Sequence, residues 1–336
     1  MKSLEFNFYG VKALVECDAD LAGKLSLDFS YFKKSPQVVF AQNIAIKITA
    51  SSDASNALRL PPGKHIKFKV HDFVFFDTSG ARYVEYGGRG AGRYDFSKEE
   101  GRVFSAEPGL LHELTYLMIL SRVGELLDSR GAHRVHALGG SARGKGVLVV
   151  MPQGGGKTTL GLELLETPGF MLFSDDAPLV TVSGRIYPFP VRIGVNKSDK
   201  VKVPAQFLGA MQRRKFGEKT LIDVEYFKDR ISAPGPCSVI IFATRSGGSL
   251  PGVRRVSALE GFWYLFKPLV LGMGVPQVVE YFIRFDFLNI MSKIKMLLSR
   301  SVAAVRLVSN ARLFAVTLSG DAKTNTSFIL NNIDGI

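Results

Sequence analysis

The stretch VLVVMPQGGGKTTLGLELL, Val147–Leu165, decides how the rest of the chain is read. Val147 to Met151 is an unbroken apolar run, as expected of a strand buried on both faces. From Lys157 onward the apolar residues recur at helical spacing. Between the two stand Gly154, Gly155 and Gly156. Glycines let backbone N–H groups turn inward, and a helix starting at the same place adds free N–H groups and a favourable dipole for an anion. Lys157 and Thr158 then occupy the lysine and hydroxyl places of a Walker A loop, G-x-x-x-x-G-K-[ST]. The pattern is incomplete, because Met151 stands where its first glycine belongs. That glycine closes the base of the loop, whereas the later ones approach phosphate, and Pro152 can pre-set a turn at the base. The stretch is therefore read as a phosphate-binding loop, with Gly154, Gly155, Gly156, Lys157, Thr158 and Thr159 as the nucleotide contacts.

Downstream, FMLFSDD reads as a buried strand ending in Asp175 and Asp176. Adjacent residues at a strand end point to opposite sides. One carboxylate can hold Mg²⁺ beside Thr158 and the other can accept a proton from an incoming hydroxyl, and which does which stays open. The bland alternative is a pair of turn acids before APLVTVSG. His136, in RVHALGG, is placed on the strand before the loop, and a lone histidine among apolar residues reads as packing at least as readily as chemistry. Arg192, Lys197, Lys200, Lys202, Arg213, Arg214, Lys215 and Lys219 face only Asp199 and Glu218 over their segment. Such a segment suits a triphosphate or an acidic substrate, or is simply a solvated face. Arg245, after CSVIIFAT, is a candidate cation for a transition state.

Around this centre the chain of 336 residues has 46% hydrophobic and 22% charged residues, a globular balance. The net charge is +13. Residues 1–105 hold 15 Lys and Arg against 12 Asp and Glu, and the remainder 28 against 18, so the excess lies with the glycine loop. A polyanionic ligand fits that distribution. Nucleic acid is the third reading, but no recognition helix, zinc spacing or basic–aromatic pattern supports a specific nucleic-acid interaction. Cys17 and Cys237 form neither a metal spacing nor a disulfide framework, which points to a cytoplasmic location. No secretory signal or transmembrane segment is expected, since Lys267, Glu280 and Arg284 interrupt the apolar stretch from Phe262 to Phe285.

The first hundred residues read as short strands: FNFYGVKALVEC, QVVFAQNIAIKITA, HIKFKVHDFVFFD and ARYVEYGG. GGRGAGRYDFSKEEG reads as a turn-rich break at a domain edge. Pro108 to Arg130 carries the clearest helical period, followed by further strands at RIYPFPVRIGV, CSVIIFATR and ARLFAVTL. VSALEGF, GFWYLFKPLV and PQVVEYFIRFDFLNIMSKIKMLL read as helical. The expected fold class is α/β, an α+β arrangement around a mixed sheet. The expected domains are a β-rich part at 1–105 and a loop-bearing part at 106–336.

The segment HALGG…GKGVLVVMPQGGGKTTLGLELL…GFMLFSDDAPLVTVSGRIYPFP resembles the core of the HPr kinase/phosphorylase superfamily, more closely its divergent HPr-kinase-related members. The resemblance runs from about Val135 to Val195 and weakens toward the C-terminus. It implies a fold like that of ATP-dependent phosphoenolpyruvate carboxykinases, with ATP and Mg²⁺ as cofactors, and a homo-oligomeric assembly. It implies that Lys157 holds the phosphates, that Thr158 holds Mg²⁺, that Asp175 and Asp176 divide metal and base duties, and that His136 lies near the nucleotide and the acids. Met151 and Gln153 depart from the family's loop, and the run after the acids is only echoed by PVRIGV, so HPr is not the expected acceptor. The expectation is an ATP-dependent kinase acting on a Ser or Thr hydroxyl of a protein or peptide, or on a small-molecule hydroxyl. The alternative is a catalytically reduced nucleotide-binding accessory or scaffold protein.

Overall fold

The computed structural model describes residues 1–34, 38–41, 44–53, 66–70, 73–78, 80–196, 201–213, 217–245, 251–275 and 287–334. It is a mixed α/β protein with several sheets, in two compact units. One comprises Met1–Arg130, Asn196–Val224 and Pro276–Ile290; the other comprises Gly131–Val195, Glu225–Val275 and Met291–Ile336.

The first unit is built on eight strands: β1 (Lys2–Phe8), β2 (Val11–Cys17), β3 (Ile44–Ser51), β4 (Ile66–Val70), β5 (Phe73–Asp77), β6 (Ala81–Tyr86), β7 (Gly90–Asp95) and β8 (Glu100–Ser105). They lie in the order β1-β2-β3-β8-β7-β6-β5-β4. Tyr9 and Gly10, at φ 55° and 97°, make the β1–β2 turn, and a Cβ on Gly10 would fall 1.8 Å from the Ala41 carbonyl oxygen. The segment read as a turn-rich break forms β7, the turn after it and the first two residues of β8. Gly87 and Gly88, at φ 59° and 74°, turn the chain before β7, whereas Gly90, Gly92 and Gly101 lie against a helix: a Cβ on Gly101 would meet Met118 Sδ at 2.6 Å. Those three mark close helix–sheet packing rather than a linker. Helix α1 (Ala19–Asp28), absent from the sequence reading, is started by Asp18, whose carboxylate accepts the Leu21 N–H at 2.8 Å.

Helix α2 (Pro108–Asp128) has the expected bounds almost to the residue, and Pro108 stands at its first turn. It packs on α1 and on β2, β3, β7 and β8. The sequence reading grouped this helix with the loop-bearing part; its contacts group it with the β-rich part, and the chain divides after Arg130.

The second unit carries β9 (Ala132–Arg134), β10 (Leu138–Ala142), β11 (Lys145–Val150), helix α3 (Lys157–Glu166), β12 (Phe170–Ser174), β13 (Leu179–Thr181), β14 (Arg185–Tyr187) and β15 (Ile193–Asn196). A hairpin of β16 (Leu208–Arg213) and β17 (Gly217–Ile222) belongs to the first unit. After the single turn α4 (Val224–Phe227) come β18 (Gly235–Arg245), β19 (Gly252–Arg255), helix α5 (Ala258–Leu265), helix α6 (Phe287–Asn310), β20 (Arg312–Leu318) and helix α7 (Ala322–Asp334).

β11 pairs parallel with β18, and β18 parallel with β20. β10 joins β11 and β12 in antiparallel pairs, and β19 closes on β20 antiparallel. The core under this sheet joins Leu148, Ile240, Phe242 and Leu313 to Leu265, Leu269, Ala304 and Leu307. Two glycines allow close layers here. A Cβ on Gly140 would enter the Phe170 ring at 2.2 Å, and one on Gly161 would stand 3.1 Å from Leu138 Cδ1, where α3 lies on β10. Among the described residues no helix is long and apolar enough to cross a membrane. The apolar stretch that begins at Phe262 leaves α5 through a π-helical turn, Phe266–Val270, which contains Pro268. Its continuation from 276 to 286 lies outside the described residues.

Candidate functional site

Three parallel strands, β11, β18 and β20, end at one edge of the second unit's sheet. β12 points the same way, because two antiparallel pairings separate it from β11. The carboxyl edge of such a sheet is where α/β proteins bind ligands. The glycine loop follows β11, Asp175 and Asp176 follow β12, and Arg245 is the last residue of β18.

The loop needs its glycines for different reasons. Gly154 and Gly156 lie at φ 76° and 91°, left-handed backbone that a side chain resists. Gly155 donates its N–H to the Pro152 carbonyl at 3.0 Å, and a Cβ on it would press that same oxygen at 2.9 Å. A Cβ on Gly156 would stand 3.1 Å from the Arg245 guanidinium carbon, so this arginine lies against the loop at the start of α3. Met151 is buried, with its Cε 3.4 Å from the place of a Gly155 Cβ. The residue that breaks the motif therefore fills the base of the loop with packed side chain.

Lys157, the first residue of α3, is buried, and its Nζ lies 2.5 Å from Asp176 Oδ1. The same nitrogen stands 3.2 Å from both ring nitrogens of His136. His136 Nδ1 is 3.1 Å from Asp176 Oδ1, so the three side chains form one cluster. Burial pushes the Asp176 carboxyl up, but its hydrogen bond to His136 and the Lys157 charge outweigh that and hold it well below the usual carboxylate range. Thr158 Oγ1 donates to Asp175 Oδ2 at 3.4 Å, and Asp175 is buried. Thr159 is exposed in the first turn of α3.

His136 is not on a strand, a correction to the sequence reading: it lies in the bend between β9 and β10. The bend is pinned by donors whose partners are distant in sequence. Val135 N–H donates to the Pro178 carbonyl at 3.1 Å, His136 N–H to that of Pro268 at 3.1 Å, and Ala137 N–H to that of Asp176 at 3.2 Å. The π-helical turn thus presents the Pro268 carbonyl to His136. Beyond it, Gly274, at φ 89°, approaches so closely that a Cβ there would lie 2.6 Å from His136 Cδ2. Ser174 Oγ accepts the Ala177 N–H at 3.1 Å and the Asp176 N–H at 3.4 Å, which shapes the turn carrying both acids. Ser before two acids is a turn signal that the sequence already carried. Nothing near His136 in sequence announces Pro268 or Gly274.

Of the basic segment, Arg192 lies in the second unit and is buried, whereas Lys202 and Lys219 belong to the first unit. Lys197, Lys200, Arg214 and Lys215 lie outside the described residues. Among the described residues no group of three or more His, Cys, Asp or Glu is arranged to hold a metal ion. A hydroxyl–carboxylate set such as Thr158 and Asp175 needs no such group, since Mg²⁺ is commonly held by one or two carboxylates together with phosphate and water.

No protein-family model and no curated protein matches the chain. Among solved structures, it is similar to the Hpr(Ser) kinase/phosphatase from Coxiella burnetii, at 17% identity over 48% of this chain and 87% of that one, with a TM-score of 0.22. A likeness at that score carries no argument about mechanism.

Proposed function

We propose that this chain is a cytoplasmic ATP-dependent kinase that moves the γ-phosphoryl group to a hydroxyl, of a Ser or Thr in a protein or peptide or of a small molecule. The observation that carries this reading is the convergence of the glycine loop, Lys157, Asp175, Asp176 and Arg245 at the carboxyl edge of one sheet. The loop and the first turn of α3 are the phosphate cradle. Thr158 and Asp175 are the oxygen pair that would hold Mg²⁺, which when bound neutralises charge on the phosphates.

Lys157 exchanges Asp176 for a phosphate oxygen. Losing that cation raises the proton affinity of Asp176, so nucleotide binding readies the carboxylate to take a hydroxyl proton. His136, 3.1 Å away, orients it meanwhile. Arg245, against Gly156, supplies a second cation for the charge that develops during transfer.

The first test is Mg·ATP binding by calorimetry, wild type beside Lys157→Ala. Binding by wild type and none by the variant is expected; absence of binding to wild type at millimolar nucleotide sinks the proposal. A second reading, a nucleotide-binding accessory protein without transfer chemistry, is favoured by Met151 alone. Asp176→Asn separates the two: a kinase variant keeps nucleotide and loses phosphoryl transfer, whereas an accessory protein keeps its biological function.

A further inference from the structure

Helix α6 carries a buried arginine. Arg300 is 1% exposed, on the side of the helix that also buries Ala303, Ala304 and Leu307. Its guanidinium reaches the chain where the π-helical turn ends. Nη1 donates to the Val270 carbonyl at 3.5 Å. Val270 is the last residue of that turn, where carbonyls lose their helical partners and a cation is favoured. Two residues on, Gly272 lies at φ 66°, and a Cβ there would fall 2.4 Å from Nη1, 3.2 Å from Cζ and 3.3 Å from Nη2. The guanidinium therefore rests directly on the Gly272 backbone, in space that any side chain at 272 would need.

The two residues gripped by Arg300 lie between the two that touch His136. Pro268, two residues before Val270, accepts the His136 N–H at 3.1 Å. Gly274, two residues after Gly272, comes so close that a Cβ there would lie 2.7 Å from His136 Cγ and 3.0 Å from Nε2. Leu269 and Val270 anchor the start of this stretch in the core. Beyond Val270 the side chains of Leu271 and Met273 are 40% and 56% exposed, and there the grip of Arg300 takes over. The backbone bonds from Leu271 N–H to the Phe266 carbonyl and from Met273 N–H to the Lys267 carbonyl run back to the turn itself. The preceding residue of α6 holds the other approach to His136. Ser299 Oγ is 2.9 Å from Nε2 of His133, in β9 and three residues before His136. Consecutive residues of one helix thus hold both the strand that leads into the bend and the stretch that closes on it.

We propose that Arg300 is a positioning residue for the site: acting through Pro268–Gly274, it holds the His136 ring against Asp176 and Lys157. The orientation of His136 follows from this geometry, and its consequence for phosphoryl transfer rests on the kinase reading. His136 Nδ1, 3.1 Å from Asp176 Oδ1, keeps that carboxylate turned toward the incoming hydroxyl. A ring that slips leaves the carboxylate free to rotate away from it.

Two variants of the full chain displace the stretch by independent routes. Arg300→Lys keeps a buried cation but loses the planar guanidinium against Gly272. Gly272→Ala keeps Arg300 and drives a Cβ into it, at a φ that alanine resists. The first readout is the set of ring resonances of the five histidines without nucleotide, with His136→Ala assigning the His136 signal. Each variant should shift or broaden that signal. The signal of His112, in the first unit, should stay in place and so report that the chain is folded. The second readout is hydrolysis of Mg·ATP, with water in place of the unidentified acceptor. R300K and G272A should lower its kcat roughly a hundredfold. The dissociation constant for Mg·ATP in calorimetry should change little. Neither variant should lower kcat further once His136→Ala is present. A His136 signal unmoved in either folded variant overturns the proposal, as does undiminished hydrolysis or full additivity with His136→Ala. Absence of hydrolysis in wild type counts against the kinase reading, and the resonances then decide by themselves whether Arg300 positions His136.

Discussion

Lys157 is held by Asp176. Its ammonium, buried and 2.5 Å from the carboxylate, is positioned by α3 but committed to the acid. This pairing makes the cluster sensitive to acid in one direction. The Asp176 carboxyl is depressed in the folded chain, so its stabilising contribution is complete above the unfolded-state value and is lost as pH falls through the folded one. The stability gap between wild type and Asp176→Asn, followed by denaturant melts, should therefore not close until pH drops below about 4. A gap that closed near neutrality would mean the ion pair is not the source. Gly156 is the other residue on which the site turns. Gly156→Ala places a side chain at φ 91° and against Arg245, a strain of about 1–2 kcal/mol for the backbone alone. It should abolish Mg·ATP binding in calorimetry while leaving a folded far-UV spectrum. At this scale the local backbone is legible in the sequence. Gly154 to Thr158 and the Asp pair announce themselves because their constraints are local, a φ that glycine tolerates and a helix that begins at a lysine. His136 was only half legible: its residue type was noticed, but its partners Pro268 and Gly274 carry no local signature.

Strand β10 shows how an element can set the site without contributing a charged group. It lies between β11 and β12, and so fixes the separation of the glycine loop from the two acids. Gly139 and Gly140 let β12 approach, and the register shifts between them. Gly140→Ala would drive a Cβ into the Phe170 ring, and overpacking of this kind costs about 1–3 kcal/mol. The expected outcome is a lowered thermal midpoint and weaker Mg·ATP affinity, although residue 140 belongs to neither the loop nor the acid pair. Unchanged affinity would mean that the acids are held by α3 and not by the strand. The glycines of GGSARGK suggest a connecting loop, yet its first residues, Gly139 to Ala142, are strand. Glycine is a poor local indicator here, since the same residue that permits a turn also permits two strands to come close. The same ambiguity hid β7 and the start of β8 behind GGRGAGRYDFSKEEG. Helix α1 carries Leu21, Ala22 and Leu25 at helical spacing after Asp18, a residue type that favours a helix start, but it is only ten residues long and Gly23 and Ser26 weaken the signal.

Across the whole molecule, ligand binding and stability must be linked. A nucleotide that binds only the folded chain should raise stability by about 2.7 kcal/mol at a hundred times its dissociation constant. Wild type should therefore gain thermal midpoint with rising Mg·ATP, and Lys157→Ala should gain none; equal shifts in both would place the nucleotide elsewhere. The net charge of +13 gives a second expectation at this scale. Binding to random DNA should be weak and fall steeply with salt, the behaviour of a general cation field. What the sequence by itself determined was the strand–loop–helix around Lys157, the acid-ended strand and the α2 helix. Hydrophobic period, proline and glycine act over a few residues, so these elements can be read where they stand. What only the tertiary structure decided was which distant groups share the sheet edge. Arg245 reaches Gly156 because β18 pairs parallel with β11, and Gly274 closes on His136 because the π-helical turn redirects the chain. Strand order and helix exits are set by how whole elements bury their faces together, and that competition is settled across the fold rather than along the chain.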